Sequence, residues 1–189
     1  MSISESFVAE FKEVLGHTHR WESFSTIVEY LSNKNRSLHI VETGCMRMLG
    51  NWGGDGQSTV VWGWLASQAG GTLTSIDISE ENARTAQLHV PHAKVIAADS
   101  IKMLPLVLAN CPIDFLYLDS YDWTGTAESP LHHMGELAVA WQYLPSGCVV
   151  AVDDCISETE GKGVYVRHFF QSIGAVELVN GYVSAWIKP

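Results

Sequence analysis

Basic side chains are scarce in this chain of 189 residues: eleven Lys and Arg stand against 21 Asp and Glu, a formal charge of −10. Nucleic-acid backbones are bound by clustered Lys and Arg that displace counterions, and the few here are scattered, so no nucleic-acid partner is expected. Long apolar runs are absent too. The longest, such as Val149-Val150-Ala151-Val152, are strand-sized and far short of the roughly 20 residues of a membrane helix, so no membrane partner is expected either. The four cysteines, Cys45, Cys111, Cys148 and Cys155, show no CxxC spacing; reduced, mostly buried thiols follow, and nothing around them marks a nucleophile. Met1 to Leu15 carries Glu5, Glu10 and Glu13 and lacks the basic start and apolar centre of a signal peptide, so the expected location is the cytoplasm. There is no internal repeat and no low-complexity linker.

What is present suits one compact domain. The chain is 47% hydrophobic and 17% charged, and its length can bury a core without disulfides or metal staples. Residues 1–36 read as a helical segment: Phe7, Val8, Phe11, Val14 and Leu15, then Phe24, Ile27, Val28 and Leu31, recur at helical spacing around the polar stretch Gly16 to Arg20. From 37 to 189 strands and helices alternate. Apolar runs at Leu38–Val41, Leu73–Ile76, Lys94–Ala97, Ile113–Leu118 and Cys148–Val152 are separated by helical patterns. Ser79 is placed to cap one helix and Pro130 to open another, with Leu131, Met134, Leu137, Ala138 and Trp141 on its buried side. Two final strands, Val176–Val179 and Tyr182–Ile187, flank the hairpin signal Asn180-Gly181. Strands bounded by helices imply a parallel sheet covered on both faces, a doubly wound α/β fold in three layers with an antiparallel end.

Ligands of such sheets bind beyond the carboxyl ends of the strands. Each of those ends carries an acid or a glycine loop: Glu42 and Gly44, Asp77, Asp99, Asp119, and Asp153 with Asp154. Between Leu38 and Asp77 lie Gly44, Gly50, Gly53, Gly54 and Gly56, which permit positive φ and close approach, and a helix begins near Gln57. Asp77, 21 residues past Gly56, is placed for the hydroxyls of a ribose. The pattern points to a cofactor that contains a nucleotide.

Taken together, these residues resemble a class I S-adenosylmethionine-dependent methyltransferase from Leu38 to Lys188. The closing strand Tyr182–Ile187 resembles the antiparallel seventh strand that separates that family from nicotinamide-binding Rossmann domains. Val41-Glu42-Thr43-Gly44-Cys45 resembles its first motif, Asp77 its ribose acid, and Asp99-Ser100 its adenine-edge contact. The resemblance implies a Rossmann-like, seven-stranded, mostly parallel sheet. It also implies S-adenosylmethionine held by Glu42, Gly44, Arg47, Gly56, Ser58, Asp77, Ile78, Asp99, Ser100 and Asp119. The segment Met46 to Gly54 departs from the family's compact glycine loop and resembles a bacterial branch of macrolide-sugar and polysaccharide O-methyltransferases. Arg47 and Trp52 can fold over cofactor or substrate there.

Asp119, Asp153 and Asp154 follow the fourth and fifth strands, side by side in that fold. Converging carboxylates need a neutralising cation, and oxygen-only ligands suit Mg²⁺. The resemblance to metal-dependent members thus implies a magnesium site on these three acids, assisting the ionisation of an acceptor hydroxyl. An ion pair from Arg47 or Lys162 to these acids would argue against it. Asp122 takes the place of the base lysine of catechol-type members, which favours sugar acceptors. His132 and His133 are the histidines nearest the active edge, and His133 is preferred as base because Leu131 and Met134 claim the buried face. Tyr121, Asp122 and Trp123 are expected around the acceptor. The expected activity is methylation of a hydroxyl on a sugar or sugar-bearing small metabolite. The alternatives are a metal-independent methyltransferase relying on His133 and a cofactor-binding module that performs no transfer. Trp21 and the helices around it can cover the cleft of a second copy, which leaves a homo-oligomer open.

Overall fold

A computed structural model describes all residues from 1 to 189. The N-terminal apolar positions fall on two helices, α1 (Ile3–Leu15) and α2 (Trp21–Ser32). Ser2 starts the first reciprocally: its hydroxyl accepts the Glu5 N–H at 3.2 Å, and the Glu5 carboxylate accepts the Ser2 N–H at 2.7 Å, satisfying donors that the first turn leaves free. Both helices join the core on one face of the sheet. The Phe24 ring, for example, lies 4.6 Å from that of Trp62.

The sheet has seven strands: β1 (His39–Thr43), β2 (Thr72–Asp77), β3 (Lys94–Ala97), β4 (Phe115–Leu118), β5 (Val149–Val152), β6 (Val176–Val179) and β7 (Ser184–Ile187). Their order is β3-β2-β1-β4-β5-β7-β6. The first five are parallel, and β7 inserts antiparallel between β5 and β6. The connecting helices are α3 (Ser58–Gln68), α4 (Glu80–His89), α5 (Ser100–Leu108), α6 (Glu128–Ala140) and α7 (Val164–Ser172). Alternation along the strands builds two cores. Phe115 and Tyr117 face Trp62, Leu65 and the N-terminal helices; Leu116 and Leu118 face Leu104, Leu137 and Phe170. Both faces being covered, the strands carry uninterrupted apolar sequences.

Two local expectations fail. Leu131 and Ala138 do not lie on the buried side of α6: Leu131 is 57% exposed, and the inward face carries Ser129, Pro130, His133, Glu136, Leu137 and Ala140. The helix also starts at Glu128, so Pro130 stands inside its first turn, where a missing N–H costs nothing. A buried polar pair, His133 and Glu136, sets the rotation, and apolar periodicity is blind to it. The last hairpin is not joined by a two-residue turn either. Neither Asn180 nor Gly181 has positive φ, which a type I′ turn requires at both; the Gly181 carbonyl instead accepts the Ser184 hydroxyl at 3.0 Å, and β7 begins only at Ser184.

The register pairs Thr43 with both Ile76 and Leu118, Asp77 with Ala97, and Leu118 with Val152. The residues after these positions therefore leave the sheet along one edge. From β1 the chain moves outward to β2 and β3, then returns to the other side for β4 and β5. The crevice of the fold opens at that reversal, between the ends of β1 and β4.

Candidate functional site

Gly44 and Asp119 meet at this crevice. Gly44 has φ of +77°, and a Cβ there would lie 2.4 Å from the Asp119 carbonyl oxygen, so only glycine lets the two loops close together. Beside them is a polar cavity of about 150 Å³ lined by Gly44, Cys45, Arg47, Asp77, Ile78 and Asp119, among others. Asp77 is fixed at its wall: the Cys45 N–H donates to one oxygen at 3.0 Å and the Ser79 N–H to the other at 2.7 Å. A second cavity of about 390 Å³ shares Ile78 and Ser120 with the first and adds Asp99, Ser100, Ile101, Tyr121 and His132. Asp99 caps α5, accepting the Ile101 N–H at 3.1 Å. The joined cleft offers a fixed carboxylate at one part and isoleucines with hydroxyls at another, which fits a cofactor made of ribose, a planar base and an amino-acid tail.

Glu42, Gly56 and Ser58 lie behind this cleft and do not reach it. Glu42 is buried, and its carboxylate accepts hydroxyls from Ser58, Thr59 (2.8 Å) and Ser75 (2.7 Å). Burial, reinforced by the charge of Asp77, raises its pKa to about 7 despite those bonds. Gly56 has positive φ for another neighbour: a Cβ there would lie 2.5 Å from the Arg20 side chain. Trp52 of the inserted loop turns away from the cleft, its ring 5.9 Å from Phe11, while Arg47 of the same loop lines the polar cavity. Inside the loop, Asp55 accepts the N–H groups of Arg47 (3.1 Å) and Gln57 (3.2 Å).

The three acids expected to hold a metal do converge, but on cations of the protein itself. Arg20 donates from Nε to both oxygens of Asp153, at 3.1 and 2.9 Å, and its Nη2 lies 3.3 Å from Asp154. The Lys162 ammonium donates to Asp119 and sits 2.9 Å from Asp154. Burial alone would lower the Lys162 pKa; the carboxylates of Asp119, Asp154 and Asp153 outweigh it and push the ammonium above its ordinary value. No group of three or more His, Cys, Asp or Glu side chains is arranged to hold a metal ion. As built, Asp119, Asp153 and Asp154 are paired with Arg20 and Lys162 and do not form a set of ligands fitted to magnesium.

The histidines exchange the places expected of them. His133 is fully buried, its Nδ1 donating to the Ser129 carbonyl at 2.7 Å. Burial drops its pKa to about 4, and it has no access to the cleft. His132 lines the larger cavity instead, with Nε2 3.4 Å from Glu136 Oε1 and 3.3 Å from the Ser100 hydroxyl; the bond to Glu136 raises its pKa. Tyr121, Asp122 and Trp123, three consecutive residues, point to three cavities. Tyr121 faces the side of His132, Asp122 the polar cavity, and Trp123 a depression of about 440 Å³ with Pro130, Val164 and Tyr165. Arg20, Tyr182 and Glu136 went unnoticed in the sequence. The charge balance of the acidic edge was the available signal for Arg20, whose guanidinium lies 4.9 Å over the Tyr182 ring.

The sequence profile of a methyltransferase domain matches residues 52–155. No curated protein matches the chain. Among solved structures, the chain resembles MycE, a methyltransferase of mycinamycin biosynthesis solved with Mg, SAH and mycinamycin VI, with a TM-score of 0.67 and 15% identity. All of this chain is covered but only 54% of MycE, so it spans about half the length of that protein. A TDP-rhamnose 3′-O-methyltransferase of calicheamicin biosynthesis gives a TM-score of 0.62 at 15% identity, over 97% of this chain and 86% of that one. The N-methyltransferase NodS from Bradyrhizobium japonicum WM9 gives 0.56 at 11% identity, over 90% and 97%. At such identities these structures share the fold.

Proposed function

The chain belongs to the methyltransferase-domain family, as a class I S-adenosylmethionine-dependent methyltransferase, and we propose that it methylates a hydroxyl of a small molecule, a sugar or a sugar-bearing metabolite. The observation that carries this reading is the joined cleft at the β1–β4 reversal, where Asp77 is held by two backbone N–H groups and the Asp122 carboxylate lines the same cavity. When bound, S-adenosylmethionine supplies an electrophilic methyl on a sulfonium. Asp77 would hold the ribose, Ile78, Asp99 and Ser100 the base, and Gly44 with the Asp119 loop the amino-acid tail.

A neutral alcohol is a poor nucleophile, so its proton must leave as the methyl arrives. Asp122 is our candidate for that proton. Its two oxygens accept from Arg47 Nη1 and Nη2 at 3.0 and 3.1 Å, which fixes the carboxylate at the lip of the cavity. Trp123 and Tyr165, on the neighbouring depression, offer aromatic surface for the face of a sugar ring. The 3′-O-methylation of TDP-rhamnose named for one structural neighbour, and the mycinamycin VI bound to MycE, favour a small-molecule acceptor of this class. No metal enters the reading, since the three acids are engaged with Arg20 and Lys162.

The test is transfer of labelled methyl from S-adenosylmethionine to a panel of nucleotide sugars and glycosylated metabolites, scored by mass. A gain of one methyl on an oxygen supports the proposal. Methylation confined to amine acceptors refutes it.

A further inference from the structure

The segment Gly161-Lys162-Gly163, between β5 and α7, has a geometry that an ordinary loop does not need. Gly161 has φ of +106°, and a Cβ there would lie 2.2 Å from the Asp154 carbonyl oxygen and 2.6 Å from the Ile156 nitrogen. A Cβ on Gly163 would lie 2.3 Å from the Cys155 sulfur. Position 161 must therefore be glycine for the turn to press against Asp154, and a side chain at 163 would have to displace the Cys155 sulfur. The Lys162 N–H closes the contact by donating to the Asp154 carbonyl at 3.1 Å. Asp154 itself takes a positive φ of 48°. The outcome is a lysine only 1% exposed, with its ammonium delivered to Asp119 and Asp154.

We propose that Lys162 stands in this protein where a divalent cation would otherwise be needed, so that the chain binds its methyl donor, and acts, without a metal. With Arg20 on Asp153 and Asp154, the protein provides two positive charges for three carboxylates, as many as one divalent ion brings. A metal entering the cluster would have to displace a buried ammonium, and a buried charge left unpaired is strongly destabilising. Lys162 acts through Asp119, whose carbonyl abuts Gly44 and which lines the donor cavity. It is thus a positioning residue for the cleft. The proposal rests on the methyltransferase reading, but its test has a separate arm.

In one arm, S-adenosylhomocysteine is titrated calorimetrically into the wild-type protein after dialysis against EDTA, and again in millimolar MgCl₂. In the other, Mn²⁺ binding is followed by electron paramagnetic resonance in wild type, Lys162→Ala and Lys162→Gln, with near-ultraviolet circular dichroism to establish folding. The Gln variant keeps a polar head where Ala leaves a void, and the wild-type measurement stands without either. We expect one affinity for S-adenosylhomocysteine in both buffers, no Mn²⁺ site in wild type, and Mn²⁺ binding at least about tenfold tighter once the ammonium is removed. Mn²⁺ binding by wild type that Asp154→Asn abolishes overturns the proposal. So do folded Lys162 variants that stay silent to Mn²⁺. Absence of S-adenosylhomocysteine binding in every buffer refutes the methyltransferase reading instead, and the Mn²⁺ arm still decides the role of Lys162.

Discussion

Arg47 grips Asp122 through two parallel hydrogen bonds of 3.0 and 3.1 Å, tying the loop after β1 to the loop after β4 at the mouth of the polar cavity. Both side chains are more than half exposed, and an exposed pair of this kind contributes roughly 0–1 kcal/mol. Its importance is therefore chemical. Asp122→Asn is expected to leave the urea midpoint and S-adenosylhomocysteine affinity nearly unchanged while lowering kcat by about a hundredfold, the scale of a lost general base. Steady-state kinetics beside calorimetry checks this; unaltered turnover removes Asp122 from the reaction.

The glycines around Lys162 give a stability prediction with an internal control. Gly161→Ala forces a Cβ against the Asp154 carbonyl and should destabilise by roughly 3 kcal/mol. Gly147 also has positive φ, +79°, yet has open space around it; its Ala variant should cost only about 1 kcal/mol. Urea denaturation of the two variants separates close packing from backbone preference. Equal losses would show that the turn is not pressed against Asp154.

The seven strands were legible because parallel strands covered on both faces read as apolar runs, and the acids at their ends follow from the topology. Asp77, Asp99 and Ser100 could be placed on the cleft for that reason. Gly56 and Gly44 look alike in sequence, both demanding positive φ, but a glycine does not say which neighbour approaches it: Asp119 for one, Arg20 for the other. Arg20 was hidden because a buried cation is recognised by its partner, here 133 residues away, whereas Lys162 could be singled out as a possible partner of the acids but not as their actual one. The choice of His133 over His132 failed through the rotation of α6, where Glu136 accepts from Ser120 at 2.6 Å and Thr43 at 3.2 Å and so turns the polar face inward.

Two buried groups give opposite pH dependences. His133 has its pKa lowered by burial to about 4, so between its ordinary value and 4 the unfolded chain takes up a proton that the folded one refuses, and stability falls as the pH falls. Glu42 is raised by burial to about 7. As the pH climbs from its ordinary value through 7, the unfolded chain releases a proton that the folded one keeps, and stability falls as the pH rises. Each contribution is roughly 3 kcal/mol, and the two act in opposite directions. Relative to wild type, urea midpoints from pH 4 to 8 should therefore gain with rising pH in Glu42→Gln and lose with rising pH in His133→Asn. Parallel profiles for the three proteins would contradict both assignments.

The central claim is that the cleft between β1 and β4 binds the methyl donor through Asp77. Calorimetric titration of S-adenosylhomocysteine into wild type and Asp77→Asn tests it most directly. The substitution removes the carboxylate from the cavity and keeps an oxygen for only one of the two N–H groups that Asp77 accepts, so near-ultraviolet circular dichroism is recorded beside the titration to establish that the variant stays folded. The account predicts micromolar binding by wild type and a loss of at least about tenfold, near 1.4 kcal/mol, in the variant. Equal affinities in the two proteins, or no binding by wild type, would contradict it.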